Sequence, residues 1–169
     1  MAALGDLMDA QGSPHVDCRQ DGARLGTASR AGNLFNTTIQ GVEPAACDIG
    51  DPDSVREAID GTEIVVHCAG LFAHSAPRDR LFAINAGGAR TVGGIAAECG
   101  VQRVVLVSSV GGYGAVGTGI AEDGPKVPAT PYDQSKWAGE QAMTEVCGER
   151  GVPLAVLRPT LIYGPGSLY

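Results

Sequence analysis

The chain has 169 residues, 44% of them hydrophobic, and a formal net charge of −7. That is one domain's worth of sequence, long enough to bury a core. Nineteen acids outweigh twelve bases with no basic stripe among them, which excludes a nucleic-acid-binding surface. The five cysteines, at 18, 47, 68, 99 and 147, contain no C-x-x-C, and with only three histidines no metal spacing arises. They read as buried free thiols in a reducing cytoplasm. The N-terminus, MAALGDLMDAQG, has neither a basic segment nor an apolar core, and no apolar run approaches a membrane span. A soluble cytoplasmic protein is expected, with no metal and no membrane partner.

In chain order, residues 2–10 place Leu4, Leu7 and Met8 on one face of a short helix that ends at Gly12. Pro14 to Arg19 makes a poor strand, because Asp17 and Arg19 interrupt it. Asp21 to Gly32 is polar and glycine-punctuated, with one helical turn at most. Gly41 to Ile49 reads as a short strand weakened by Pro44. Asp51 then caps and Pro52 opens a two-turn helix with Val55, Ala58 and Ile59 on its apolar stripe, stopping at Gly61. Glu63 to Gly70 is a continuous apolar run, as in a parallel strand covered on both faces. Asp79 to Cys99 is helical, with Val92, Ile95 and Ala96 at helical spacing and Gly100 as its stop. Its interior glycines (87, 88, 93 and 94) each cost about 1 kcal/mol against alanine, so another element must approach it closely. Val104 to Val107 is the next strand, Gly111 to Ala129 a long loop, and Leu154 to Leu157 the last strand. Strands alternating with helices give an α/β doubly wound parallel sheet.

The most informative stretch is Thr130 to Trp137, TPYDQSKW. Thr130 is a good N-cap, Pro131 suits the first helical position, and Asp133 completes a capping box. The helix runs to about Arg150, with Ala138, Ala142 and Val146 inward and Gly151 as C-cap. Tyr132 and Lys136 then stack one turn apart. An ammonium beside a phenol lowers the phenol's pKa from about 10 and lets it exchange a proton with an alcohol or carbonyl oxygen near neutral pH. The plain alternative is a surface pair near a helix start.

The neighbours decide between these. Upstream stands RVVLVSSVGGYG (103–114), an apolar strand running into serines and a glycine-rich loop. Downstream stands PLAVLRPTLIYGPG (153–166). From about Val42 onward the chain resembles the extended short-chain dehydrogenase/reductases, the NAD(P)-dependent epimerases, dehydratases and ketone reductases. The resemblance implies a Rossmann-like fold, NAD or NADP as cofactor, and a small-molecule substrate, either a nucleotide sugar or a sterol- or ketone-type alcohol. It leaves a homodimer open for the full-length protein. It also implies catalytic roles for Ser109, Tyr132 and Lys136, with Lys136 holding the nicotinamide ribose as well. Ser108 is the weaker serine candidate. Asp48 and Ile49 would sit at the adenine end, and Cys68, Ala69 and Gly70 would let the cofactor backbone approach. Asn85 in INAGGART matches an asparagine inside the long helix that supports the site. Pro159, after Arg158, would lie near the nicotinamide.

Each of these has a plainer reading: Ser109 as the cap of its own turn, Asp48 as a loop acid, Asn85 as a solvated helical residue, Arg158 as a salt-bridged strand end. His67 reads as a packed core histidine. No glycine-rich G-x-G-x-x-G or G-x-x-G-x-x-G turn occurs ahead of Asp51. The first helix resembles the one that would follow such a turn. The expectation is therefore a single incomplete domain over 1–169, lacking its first central strand and phosphate loop and truncated at both ends. Two open edges would flank the vacant central position. Two functions follow: an NAD(P)-dependent oxidoreductase or epimerase/dehydratase, or a non-catalytic dinucleotide-sensing or scaffold domain of the same fold.

Overall fold

The computed structural model describes residues 15–17, 23–27, 42–72, 75–114 and 119–162. The helix expected over 2–10 lies outside them. Six strands form one sheet: β1 (His15–Asp17), β2 (Ala23–Thr27), β3 (Val42–Ala46), β4 (Ile64–His67), β5 (Arg103–Val107) and β6 (Leu154–Leu157). Their order is β3-β2-β1-β4-β5-β6, the doubly wound dinucleotide-fold order.

The sheet corrects two expectations. The central position is not vacant, because β1 fills it and pairs antiparallel with both neighbours, Val16 opposite Gly26 of β2 and opposite His67 of β4. The segment after Asp21 contributes strand β2 rather than a helical turn. Connection length explains the reversed direction of β1. Residues 18–22 are too few for the crossover of about a dozen residues that two parallel strands need, so β1 and β2 meet as antiparallel neighbours. Residues 28–41 suffice for a crossover, and β2 pairs parallel with β3. Beyond β1 the pairing is parallel throughout: β4 with β5, Val65 opposite Val104, and β5 with β6, Leu106 opposite Val156.

The helices form where local signals place them. Helix α1 (Pro52–Ile59) is capped by the Asp51 carboxylate, which accepts from the Asp53 N–H, and it buries Val55, Ala58 and Ile59. Helix α2 (Arg78–Phe82) continues through one π-helical turn (Ala83–Gly87) into helix α3 (Gly88–Glu98). Helix α4 (Pro131–Arg150) carries the expected reciprocal capping box between Thr130 and Asp133, and Gly151 ends it at φ +70°.

Among the described residues, α1, α3 and α4 pack side by side. Val65, His67, Val104 and Leu106 share a buried core with them. Ile64 stays 42% exposed and Val66 half-buried, so β4 alternates where burial on both faces was expected. Two of the α3 glycines meet the anticipated neighbours. A Cβ at Gly88 would stand 2.5 Å from Ile49 Cδ1, and one at Gly93 3.5 Å from Met143. Gly87 and Gly94 meet nothing closer than 4.0 Å. The inward residues of α4 include Ala142, Met143, Val146 and Cys147, with Ala138 only half-buried.

Candidate active site

The carboxyl ends of β4 and β5 and the first two turns of α4 converge on one place. Lys136 reaches across from α4, and its ammonium donates to the Val107 carbonyl at the end of β5 (2.9 Å). Against it lies the exit of β4. A Cβ at Gly70 would stand 2.9 Å from Asn85 Oδ1 and 3.7 Å from Lys136 Nζ, so only glycine leaves this space open. Cys68 is close enough to act on the lysine's charge, and Ala69 is buried in the core.

Asn85 is no solvated helical residue. It is 4% exposed and sits inside the π-helical turn. Its Oδ1 accepts from the Leu71 N–H (2.5 Å), and its Nδ2 donates to the Leu71 carbonyl (3.1 Å) and to Ser135 Oγ (2.8 Å). Ser135 in turn donates to the Tyr132 carbonyl (2.7 Å). One buried side chain therefore fixes the loop after β4 against the start of α4. Gly139, one turn beyond Ser135, makes this approach possible, since a Cβ there would lie 2.5 Å from the Asn85 carbonyl oxygen. On the same loop Phe72 meets the Tyr132 ring edge-on, centroids 4.9 Å apart and planes at 85°.

This packing reverses the expected electrostatics. Burial, with a smaller contribution from Asp133, pushes the Tyr132 phenol up to about 12. Burial draws Lys136 down to about 8, against the weaker opposing pull of Cys68 and Glu140. The ammonium is aimed at the Val107 carbonyl, so desolvation dominates both groups and the phenol is not lowered by its neighbour. His67 is the core residue it was read as, 1% exposed, and burial beside Lys136 draws it down to about 3. Its Nδ1 is buried without a partner among the described residues.

Ser109 caps the 3₁₀ turn Val110–Tyr113, its Oγ accepting from the Gly111 N–H (3.0 Å). That turn packs under α4, because a Cβ on Gly111 would overlap Asp133 Oδ1 and lie 3.2 Å from Ser109 Oγ. Ser108 is buried. The Pro159 carbonyl accepts from the Val110 N–H (3.1 Å), which joins the β6 exit to the same turn. Arg158 is the salt-bridged strand end. It grips the buried Glu140 carboxylate through Nε (3.0 and 3.1 Å) and Nη2 (2.5 Å), and donates to Tyr113 Oη (2.9 Å).

Asp48 and Ile49 lie apart from this cluster, at the end of β3. Asp48 Oδ1 accepts from the Gly50 N–H (2.8 Å), while Ile49 is 3% exposed and packs in the core near Gly88. Sequence reasoning missed Phe72, Ser135 and Glu140. Ser135 stands between Tyr132 and Lys136, and Glu140 lies one turn beyond Lys136, so helical spacing held a signal for both. Phe72 had none.

The strand order, and a tyrosine and lysine at a capped helix start facing the carboxyl ends of β4 and β5, define a Rossmann-like α/β protein of the dehydrogenase/reductase class. The chain belongs to the NAD dependent epimerase/dehydratase family, whose model matches residues 16–168. It is 32% identical over 129 residues to sterol demethylase protein B of Methylococcus capsulatus, covering 73% of this chain and 39% of that one. It is 33% identical over 155 residues to mouse 3 beta-hydroxysteroid dehydrogenase type 7, covering 81% and 39%. Among solved structures it resembles a short-chain dehydrogenase/reductase superfamily protein from Agrobacterium tumefaciens with bound NAD. That match has 30% identity and a TM-score of 0.64, and covers 70% of this chain and 38% of the other. The chain thus spans about two-fifths of the length of these relatives. Among the described residues no helix is long and apolar enough to cross a membrane, and no three His, Cys, Asp or Glu side chains cluster as metal ligands.

Proposed function

We propose that this chain carries the proton-transfer and ribose-binding part of an NAD(P)-dependent oxidoreductase or epimerase/dehydratase site, within one incomplete domain over 1–169. The observation that carries the reading is the meeting of Lys136 Nζ, the open backbone at Gly70 and the Asn85 clamp beside Tyr132. The missing Cβ at Gly70 leaves room for a ribose edge. Lys136 spends one of its three donors on Val107, and its other two have no hydrogen-bond partner among the described residues. These residues fit the nicotinamide-ribose end of a dinucleotide. Among the described residues no helix N-terminus between β1 and β2 offers the pyrophosphate end a comparable match.

Bound there, NAD or NADP supplies a hydride acceptor or donor. Tyr132 holds the proton that leaves or joins the substrate oxygen, and Lys136 orients the ribose hydroxyls. Ser109 turns its hydroxyl from the Gly111 N–H toward the substrate oxygen and orients it. Cys68, Ala69 and Pro159 border the cofactor's backbone, and Asp48 and Ile49 its adenine end. The substrate is a small molecule bearing an alcohol or carbonyl.

The test is a cofactor titration with a turnover assay. Without a pyrophosphate anchor the chain binds NADH more weakly than micromolar, and Lys136→Met lowers both affinity and rate. Unchanged NADH affinity in Lys136→Met would contradict the ribose role. The lack of a glycine-rich turn, together with a phenol raised to about 12, favours one other reading, a non-catalytic dinucleotide-sensing or scaffold domain. Binding without turnover of any alcohol would select it.

A further inference from the structure

Ser109 and Tyr132 have to meet on one substrate oxygen, yet they come from different elements. Ser109 follows β5 and caps the turn Val110–Tyr113, whereas Tyr132 stands in the first turn of α4. Beside Tyr132 in the chain, Asp133 spans the gap. Its Oδ2 accepts from Thr130 Oγ1 (2.6 Å) and from the Thr130 N–H (3.3 Å), and its own N–H donates to Thr130 Oγ1 (3.1 Å). The carboxylate is pinned through that oxygen, and the other, Oδ1, lies against Gly111.

The turn is shaped for this approach. Gly114 ends it at φ +74°, but neither Gly111 nor Gly112 has a positive φ, so backbone conformation does not call for glycine at either. Space does at Gly111, where a Cβ would overlap Asp133 Oδ1. The N–H groups of Val110, Gly111 and Gly112 are already donated, to the Pro159 carbonyl, Ser109 Oγ and the Ser109 carbonyl. Asp133 therefore seats on the turn by shape. The same absent Cβ would lie 3.2 Å from Ser109 Oγ, so the carboxylate and the serine hydroxyl border one small space. The charge of Asp133 also reaches Tyr132, where it adds to burial in raising the phenol.

Resting on the proton-transfer reading above, we propose that Asp133 is a positioning residue for Ser109 and Tyr132. Its pinned carboxylate, seated on the bare Gly111, sets the separation of the serine hydroxyl from the phenol. The group that caps α4 also holds the serine turn in register beneath it. A displacement of about 1 Å between such groups costs up to about 10²-fold in rate.

The experiment is a double-mutant cycle of Gly111→Ala and Asp133→Ala in the full chain. Turnover of 4-phenyl-2-butanol with NAD⁺ is followed by nicotinamide absorbance and NADH affinity by fluorescence titration. Hydrogen exchange at the Gly111 and Gly112 amides gives a readout that needs no cofactor. Each single substitution should lower kcat by up to about 10²-fold, leave NADH affinity unchanged, and speed exchange of the remaining turn amides. Once the carboxylate is gone, adding Gly111→Ala should change kcat and exchange far less than it does in the wild type. Asp133→Asn keeps the shape and should keep the protection, so it serves if Gly111→Ala fails to fold. Additive effects, as a helix cap alone predicts, would overturn the proposal. So would unchanged exchange in Asp133→Ala, whether or not the alcohol is turned over, or equal loss in Asp133→Asn. The two readings fail separately. Tyr132-dependent turnover that Asp133→Ala leaves intact sinks only the role of Asp133, whereas turnover that survives Tyr132→Phe sinks the assignment of Tyr132.

Discussion

The two halves of the sheet are built by different connections. From β4 to β6 every neighbour is reached by a helical crossover, so all strands run parallel and their carboxyl ends gather at one edge, where Lys136, Gly70 and Ser109 stand. In the other half, β1 lies at the centre and pairs antiparallel with both β2 and β4. Crossovers put helix ends and strand ends together, which is how this fold makes binding sites. The comparison teaches that helical crossovers, rather than strand pairing as such, bring strand ends and helix starts together at one edge.

The sharpest way to break this comparison is at Val16. Its backbone sits in a strand paired on both sides, so Val16→Pro removes an N–H and disturbs the ladders to β2 and β4. The expected cost is about 3 kcal/mol or more, read in a urea melt. Pro44, by contrast, is native to β3, an edge strand that tolerates it. A neutral Val16→Pro would mean that β1 does not hold the centre.

Next in size is the clamp of the parallel half. Asn85→Ala removes three hydrogen bonds, one of them fully buried, and leaves the Leu71 N–H and C=O and Ser135 short of partners. A loss of about 2–4 kcal/mol follows, with the Phe72–Tyr132 contact loosened. An unchanged urea midpoint would show that the clamp does not support the site.

Smaller, and set by pH, is the effect of His67, which stands where the two halves meet. Its folded value, about 3, lies below the ordinary 6.5. Between these values the unfolded chain binds a proton that the folded chain refuses. Stability from this group is therefore whole above about pH 6.5 and falls as pH drops toward 3, by up to about 1.4 kcal/mol per pH unit. Melts of the wild type and His67→Leu from pH 7 to 4 should diverge, and parallel curves would contradict a buried neutral imidazole.

What the sequence disclosed follows the same divide. The helix boundaries were legible because their signals are local: Asp51 with Pro52, Thr130 with Asp133, Gly151 in its left-handed turn. The strands β4, β5 and β6 were legible as apolar runs. β1 was legible only as a poor strand and β2 not at all, because His15–Asp17 and Ala23–Thr27 owe their extended form to ladders with neighbours rather than to their own preference. The tyrosine–lysine pair could be read from spacing. Its electrostatics could not, since the contacts that bury it run from Leu71 to Asn85, Asn85 to Ser135 and Phe72 to Tyr132.

The central claim is that Tyr132 is the proton-transfer group of this site, and Tyr132→Phe tests it most directly. The substitution removes one hydroxyl and keeps the ring that packs on Phe72, so fold and cofactor affinity should hold. Turnover of an alcohol with NAD⁺, followed by nicotinamide absorbance, should fall by about 10²–10⁴-fold. Turnover at the wild-type rate in a folded Tyr132→Phe would make Tyr132 a packing residue and contradict the account.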